Sequence, residues 1–131
     1  MQHFWALIAT LHLAFGIAFG AYYAYDASVV SISAQYPIRL FEYALLSHFI
    51  NGFGFFAVAW SSTQFRAGMV NFSGTLLLIG SLILVANLFS VALGYCDIAS
   101  LLFILSMGFI VVGWLIMAIA TLTNHLYQSR W

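Results

Sequence analysis

Four side chains within the long apolar stretches of this chain most need an account of their burial: His12, His48, Asn51 and Asn87. Two imidazoles on facing helices are what a haem iron takes as axial ligands, and Gly16 and Gly20, on the helical stripe of His12, would admit the macrocycle. With Asn51, which shares the helical face of His48, the same groups could line a proton or ion relay, since intramembrane polar residues are rare and often functional. A third reading needs no ligand: neutral imidazole and amide groups hydrogen-bond one helix to another in lipid. Counted at about 1.5 Å per residue from flush helix ends, His12 and His48 differ in depth by roughly 6 Å, which weighs against a shared haem. No nucleophile with an adjacent base, carboxylate pair, metal-ligand spacing or phosphate loop is present. The expectation is a protein without enzymatic activity, cofactor or metal of its own, with His12 and His48 as the candidate ligands if a cofactor is bound. His3 and His125 fall at the terminal interface, and Cys96 stands alone, so no internal disulfide forms.

The elements that must position these groups follow from composition. Charged residues make up 5% of the chain and apolar residues 65%, where a water-soluble domain is about a quarter charged. The six formal charges, Arg39, Arg66, Arg130, Asp26, Glu42 and Asp97, all fall at the edges of the apolar stretches. The solvent for most of the chain is therefore lipid. A span needs about 20 apolar residues, and four are legible: Phe4–Tyr25, Leu40–Trp60, Val70–Leu93 and Ala99–Leu122. Only helices satisfy their own backbone in lipid without closing a barrel, and strand-type alternation is absent. The fold class is an all-α membrane protein, one antiparallel four-helix bundle over residues 1–131, with both termini on one side.

That side carries Arg66 and Arg130 with no acidic residue, while the other side carries Arg39 together with Asp26, Glu42 and Asp97. The arginine excess places both termini on the cytoplasmic or matrix side. Trp5, Trp60 and Trp131 mark the terminal interface and a tyrosine group marks the other. The one long connection, Asp26 to Arg39, is expected to lie along the membrane surface. Pro37 suits the first turn of the second helix, with Glu42 near that helix's positive end.

Small and polar residues recur at sevens: Ala9 and Gly16; Ser47, Gly54 and Ser61; Ser73, Gly80, Asn87 and Gly94; Ala99, Ser106, Gly113 and Ala120. A seven-residue period keeps one seam against a partner in a left-handed bundle, and Gly16 with Gly20 adds a GxxxG spacing. Together with Gly74 these residues are expected inside. Large Phe, Leu and Ile side chains, including Phe49, Phe53, Phe55 and Phe56, then face outward.

The chain resembles the small four-helix membrane family typified by the bacterial YgdD-like proteins and their mitochondrial relatives. Gly16-Ile17-Ala18-Phe19-Gly20-Ala21-Tyr22 is similar to the family's Ala-Phe-Gly-Ala-His segment. Gly74 and Gly80, then Ala86-Asn87, Phe89 and Gly94, follow its third-helix glycine pattern, and Gly113-Trp114 its last-helix Gly-Trp. Tyr22 stands where the family has histidine, Val85-Ala86-Asn87 where it has Ser-Gly-Ser, and the usual Thr-Pro-x-Gly-Gly is missing. The resemblance implies a four-helix fold in an energy-transducing inner membrane, bacterial or mitochondrial, and no mechanism.

The function expected from these observations is that of a non-catalytic accessory subunit of a larger membrane complex, with a respiratory complex as the setting. Its partners would be other membrane subunits and phospholipids, with Arg39, Arg66, Arg130, Trp60 and Trp131 at the headgroups, and neither nucleic acid nor a soluble substrate. The rival readings are a haem- or pigment-binding electron-transfer subunit using His12 and His48, and a small transporter or proton channel.

Overall fold

A chain this apolar must satisfy its backbone locally, and it does so as four long α-helices. The computed structural model describes residues 1–29, 35–65, 67–92 and 100–128. Helix α1 spans Gln2–Val29, α2 Gln35–Gln64, α3 Ala67–Ala92 and α4 Ser100–Gln128. Among the described residues there is no strand. Each helix contains a stretch long and apolar enough to cross a membrane: Gln2–Tyr22, Phe41–Gln64, Gly68–Val91 and Leu101–Thr123.

The helices overrun the lengths read from the sequence, because hydropathy marks the apolar stretch and not the hydrogen-bonded helix around it. The connection expected over Asp26 to Arg39 shrinks accordingly, since α1 runs to Val29 and α2 begins at Gln35. Pro37 does sit in the first turn of α2, but Glu42 lies a turn beyond it, and no acidic residue occupies that first turn.

Consecutive helices pack antiparallel, which fixes the register. Against α2, Gly16 meets His48 and Gly20 meets Leu45, while Gly52 meets Leu13. Across α3 and α4, Gly80 meets the Ser106 carbonyl and Gly113 meets Leu77 and the Ser73 carbonyl. The extensive contacts are α1 with α2, α2 with α3 and α3 with α4, so α2 and α3 form the centre. Half of the α2 span and 44% of the α3 span are buried within the chain, against 22% for α1 and 17% for α4.

The described members of the seven-residue series line this centre. Ala9, Ser73, Ser106 and Ala120 are fully buried, and Ser61 and Asn87 nearly so; Gly16, Gly54, Gly80 and Gly113 are buried and Ser47 half-buried. Gly94 and Ala99 lie outside the described residues. A Cβ on Gly80 would come within 2.7 Å of the Ser106 carbonyl oxygen and one on Gly113 within 3.2 Å of the Ser73 carbonyl. At Gly80 glycine is required because the obstacle is backbone, which cannot turn aside as a side chain can, whereas at Gly113 the Leu77 side chain is nearer still, at 2.9 Å.

Two apolar clusters fill the bundle. One gathers Trp5, Ala9, Phe55, Val58, Val70, Leu77, Met117 and Ala120 from all four helices. The other gathers Ala44, Leu84 and Leu88. Phe55, expected on the outside, has no exposed surface, whereas Phe53 and Phe56 do face outward and Phe49 is half-buried. Trp5, read as an interfacial anchor, is buried as well. It stacks on Phe55 with ring centroids 6.2 Å apart, and its indole N–H donates to Asn71 Oδ1 at 2.8 Å.

Candidate functional site

The polar groups meet between the two apolar clusters, on the three helices α1, α2 and α3. His12 follows Ala9 by one turn, His48 follows Ala44 by one turn, and Ser81 stands between Leu77 and Leu84. Each is therefore carried on the inward stripe of its own helix. The imidazoles of His12 and His48 stack face to face, with centroids 3.9 Å apart and planes inclined by 25°. His12 Nε2 is hydrogen-bonded to Ser81 Oγ at 2.8 Å, and the edge of Phe55 closes the other side of His12 at 5.2 Å.

The depth mismatch counted from flush helix ends is absent. On the terminal side of the pair α2 extends about 9 Å further than α1, at 1.5 Å per residue, so the two helices are staggered and the rings coincide. Gly16 makes the room: a Cβ there would lie 3.2 Å from His48 Cδ2 and 3.4 Å from the Phe49 ring.

His48 stands apart chemically. It is 7% exposed, and neither Nδ1 nor Nε2 has a hydrogen-bond partner. An orphaned buried donor or acceptor costs about 1–3 kcal/mol, and an imidazole carries one of each when neutral. By contrast the other interhelical polar contacts are closed. Ser73 Oγ donates to the Gly113 carbonyl at 2.7 Å, and the Trp5 indole is satisfied by Asn71. Hydroxyls not used between helices bond back to their own turn, as Ser106 does to the Phe103 carbonyl and Thr75 to the Asn71 carbonyl.

This arrangement bears on each chemistry the sequence raised. Bis-histidine haem ligation needs one nitrogen of each ring aimed at the other across a macrocycle. Rings packed face to face at 3.9 Å leave no space for that slab, so the pair does not fit haem. A relay through His12, Asn51 and His48 would have to cross the apolar clusters on either side. Asn51 is buried, on the same face as His48.

Of the other expected positions, Gly20 packs on Leu45, Gly54 on Trp114 and Gly74 on Trp5 and Val58. Arg39 is exposed, and Trp60 is 61% exposed with its ring against Phe65. Arg66, Arg130 and Trp131 lie outside the described residues, and His3 is exposed near the chain start. Sequence reasoning passed over Ser81, Asn71 and Gly52. Ser81 was legible in principle as a hydroxyl next to Gly80 on the buried seam. Asn71 fell at the margin of its span, where a polar residue attracts no notice.

No protein-family model matches the chain, and no curated protein or solved structure matches it. Fold and site together define a class: an all-helical bundle of four membrane-length helices with a histidine pair at its centre.

Proposed function

We propose that this chain is a non-catalytic accessory subunit of a larger membrane complex, in a respiratory setting in a bacterial or mitochondrial inner membrane. The observation that carries this reading is the division of its surfaces. Small residues face inward and the interhelical hydrogen bonds of Trp5, His12 and Ser73 all involve α3, while only 22% of the α1 span and 17% of the α4 span are buried within the chain itself. Those outer faces are rich in large apolar side chains, among them Phe15, Ile17, Ile104, Val111, Leu115 and Ile119. They suit helices of neighbouring subunits as well as acyl chains. The resemblance to the YgdD-like proteins supports the inner-membrane setting, and the arginine excess beside the termini supports their cytoplasmic or matrix placement.

Substitution separates a packing role from chemistry at the histidines. Gly113→Leu, which drives a side chain into Leu77 and the Ser73 carbonyl, is expected to remove the chain from any assembly seen on native gels after mild extraction. His48→Ala is expected to leave that assembly largely in place. Equal loss in both variants would count against the packing role.

A further inference from the structure

We infer that the outward face of α2 holds one zwitterionic phospholipid with a primary-amine headgroup, a phosphatidylethanolamine, at Arg39 and Glu42. Arg39, Glu42 and Tyr43 are exposed and stand at the aqueous edge of the α2 span. At about 3.6 residues per turn they share one face of the helix, with Arg39 between the other two. Below them on that face, at alternating steps of three and four residues, follow Leu46, Ile50 and Phe53, which are 55%, 57% and 64% exposed. From Tyr43 to Phe53 the stripe runs about 15 Å, half of the roughly 30 Å hydrocarbon thickness and so the depth of one leaflet. No small residue occurs on it before Ala57, whereas helix contacts in lipid favour small side chains that let backbones approach. An acyl chain fits such a stripe better than a neighbouring helix does.

The charges select the headgroup. A guanidinium takes a phosphate through two parallel N–H···O bonds, and the Glu42 carboxylate accepts N–H bonds from a primary ammonium. The Tyr43 hydroxyl, one residue on, supplies a donor for a phosphate or ester oxygen. Arg39 and Glu42, three residues apart on an exposed helix face, attract each other only weakly. A headgroup carrying both charges therefore exchanges one weak pair for two charge-assisted contacts. A choline headgroup has no N–H to give Glu42. A glycerol headgroup brings a net negative charge beside that carboxylate. The ethanolamine headgroup alone of the three matches both charges and supplies the donor. The site requires only that α2 spans the membrane, and so it is independent of the subunit role.

The test uses the whole purified chain, delipidated in mild detergent and titrated under native mass spectrometry with the dioleoyl forms of phosphatidylethanolamine, phosphatidylcholine and phosphatidylglycerol in turn. One equivalent of the ethanolamine lipid is expected to be held about tenfold more tightly than either of the others, the scale of one charge-assisted contact. Glu42→Gln is expected to bring it level with the choline lipid, and Arg39→Gln to weaken all three. Glu42→Lys is expected to turn the preference to the anionic phosphatidylglycerol, a gain that a misfolded variant would not produce. Both positions are exposed on α2, so helical content is expected to be unchanged by circular dichroism. Equal retention of the three lipids by the unaltered chain, tighter retention of phosphatidylglycerol, or a preference that survives Glu42→Gln would overturn the assignment.

Discussion

The α3–α4 interface and the junction of α1, α2 and α3 solve the same problem in opposite ways. Between α3 and α4 the close approaches are made by glycine, Gly80 on the Ser106 carbonyl and Gly113 on the Leu77 side chain and the Ser73 carbonyl. Among the described residues the Ser73 hydroxyl crosses this interface and ends on a carbonyl oxygen. At the junction the close approach is ring on ring, His12 on His48, and one ring keeps two buried nitrogens without partners. Lipid offers little hydrophobic gain for bringing helices together, so tight packing and satisfied polar groups must carry association. The first interface meets both conditions. The second meets only the packing condition, since His48 keeps its two nitrogens buried without partners.

The sharpest way to break this contrast is at Gly80. Gly80→Leu forces a side chain into a backbone carbonyl and Ile110, and is expected to destabilise the bundle by about 3 kcal/mol or more, measured by unfolding in mixed micelles. Phe55→Ala removes the ring that both Trp5 and His12 lean on, with an expected loss of about 3 kcal/mol. His48→Phe runs the other way. It keeps a ring in the stack and removes the orphaned nitrogens, so the protein is expected to gain about 1 kcal/mol. A loss of that size would mean the imidazole is held by polar contacts and the contrast is false. Ser73→Ala deletes one satisfied interhelical bond and is expected to cost about 0.6 kcal/mol, the usual worth of such bonds in membranes. Gly108→Ala serves as a control. An added Cβ there meets no other part of the chain within 4 Å, so the substitution is expected to cause no loss and a gain of at most about 1 kcal/mol from helix propensity.

The seam of the bundle was legible in the sequence because a seven-residue period has one geometric meaning in packed helices. Ser73, Gly80, Ser106, Gly113 and Ala120 are buried where that period puts them. Trp5 and Phe55 were misread for a shared reason: aromatic rings near a membrane face, or in a run of phenylalanines, carry no periodic signal that says inside. The histidine contact was hidden differently. Its existence depends on the stagger between α1 and α2, a tertiary quantity that spacing within one helix does not encode. Spacing along one helix fails for the same reason, since His12, His48 and Ser81 sit on three separate helices.

The central claim is that the outer faces of α1 and α4 belong against other polypeptides. Native mass spectrometry of the chain released from its own membrane in mild detergent tests it most directly. The expected spectrum shows the 14.5 kDa chain within a larger assembly, coming away with other membrane polypeptides on activation. A spectrum containing the single chain with lipid alone would contradict the account.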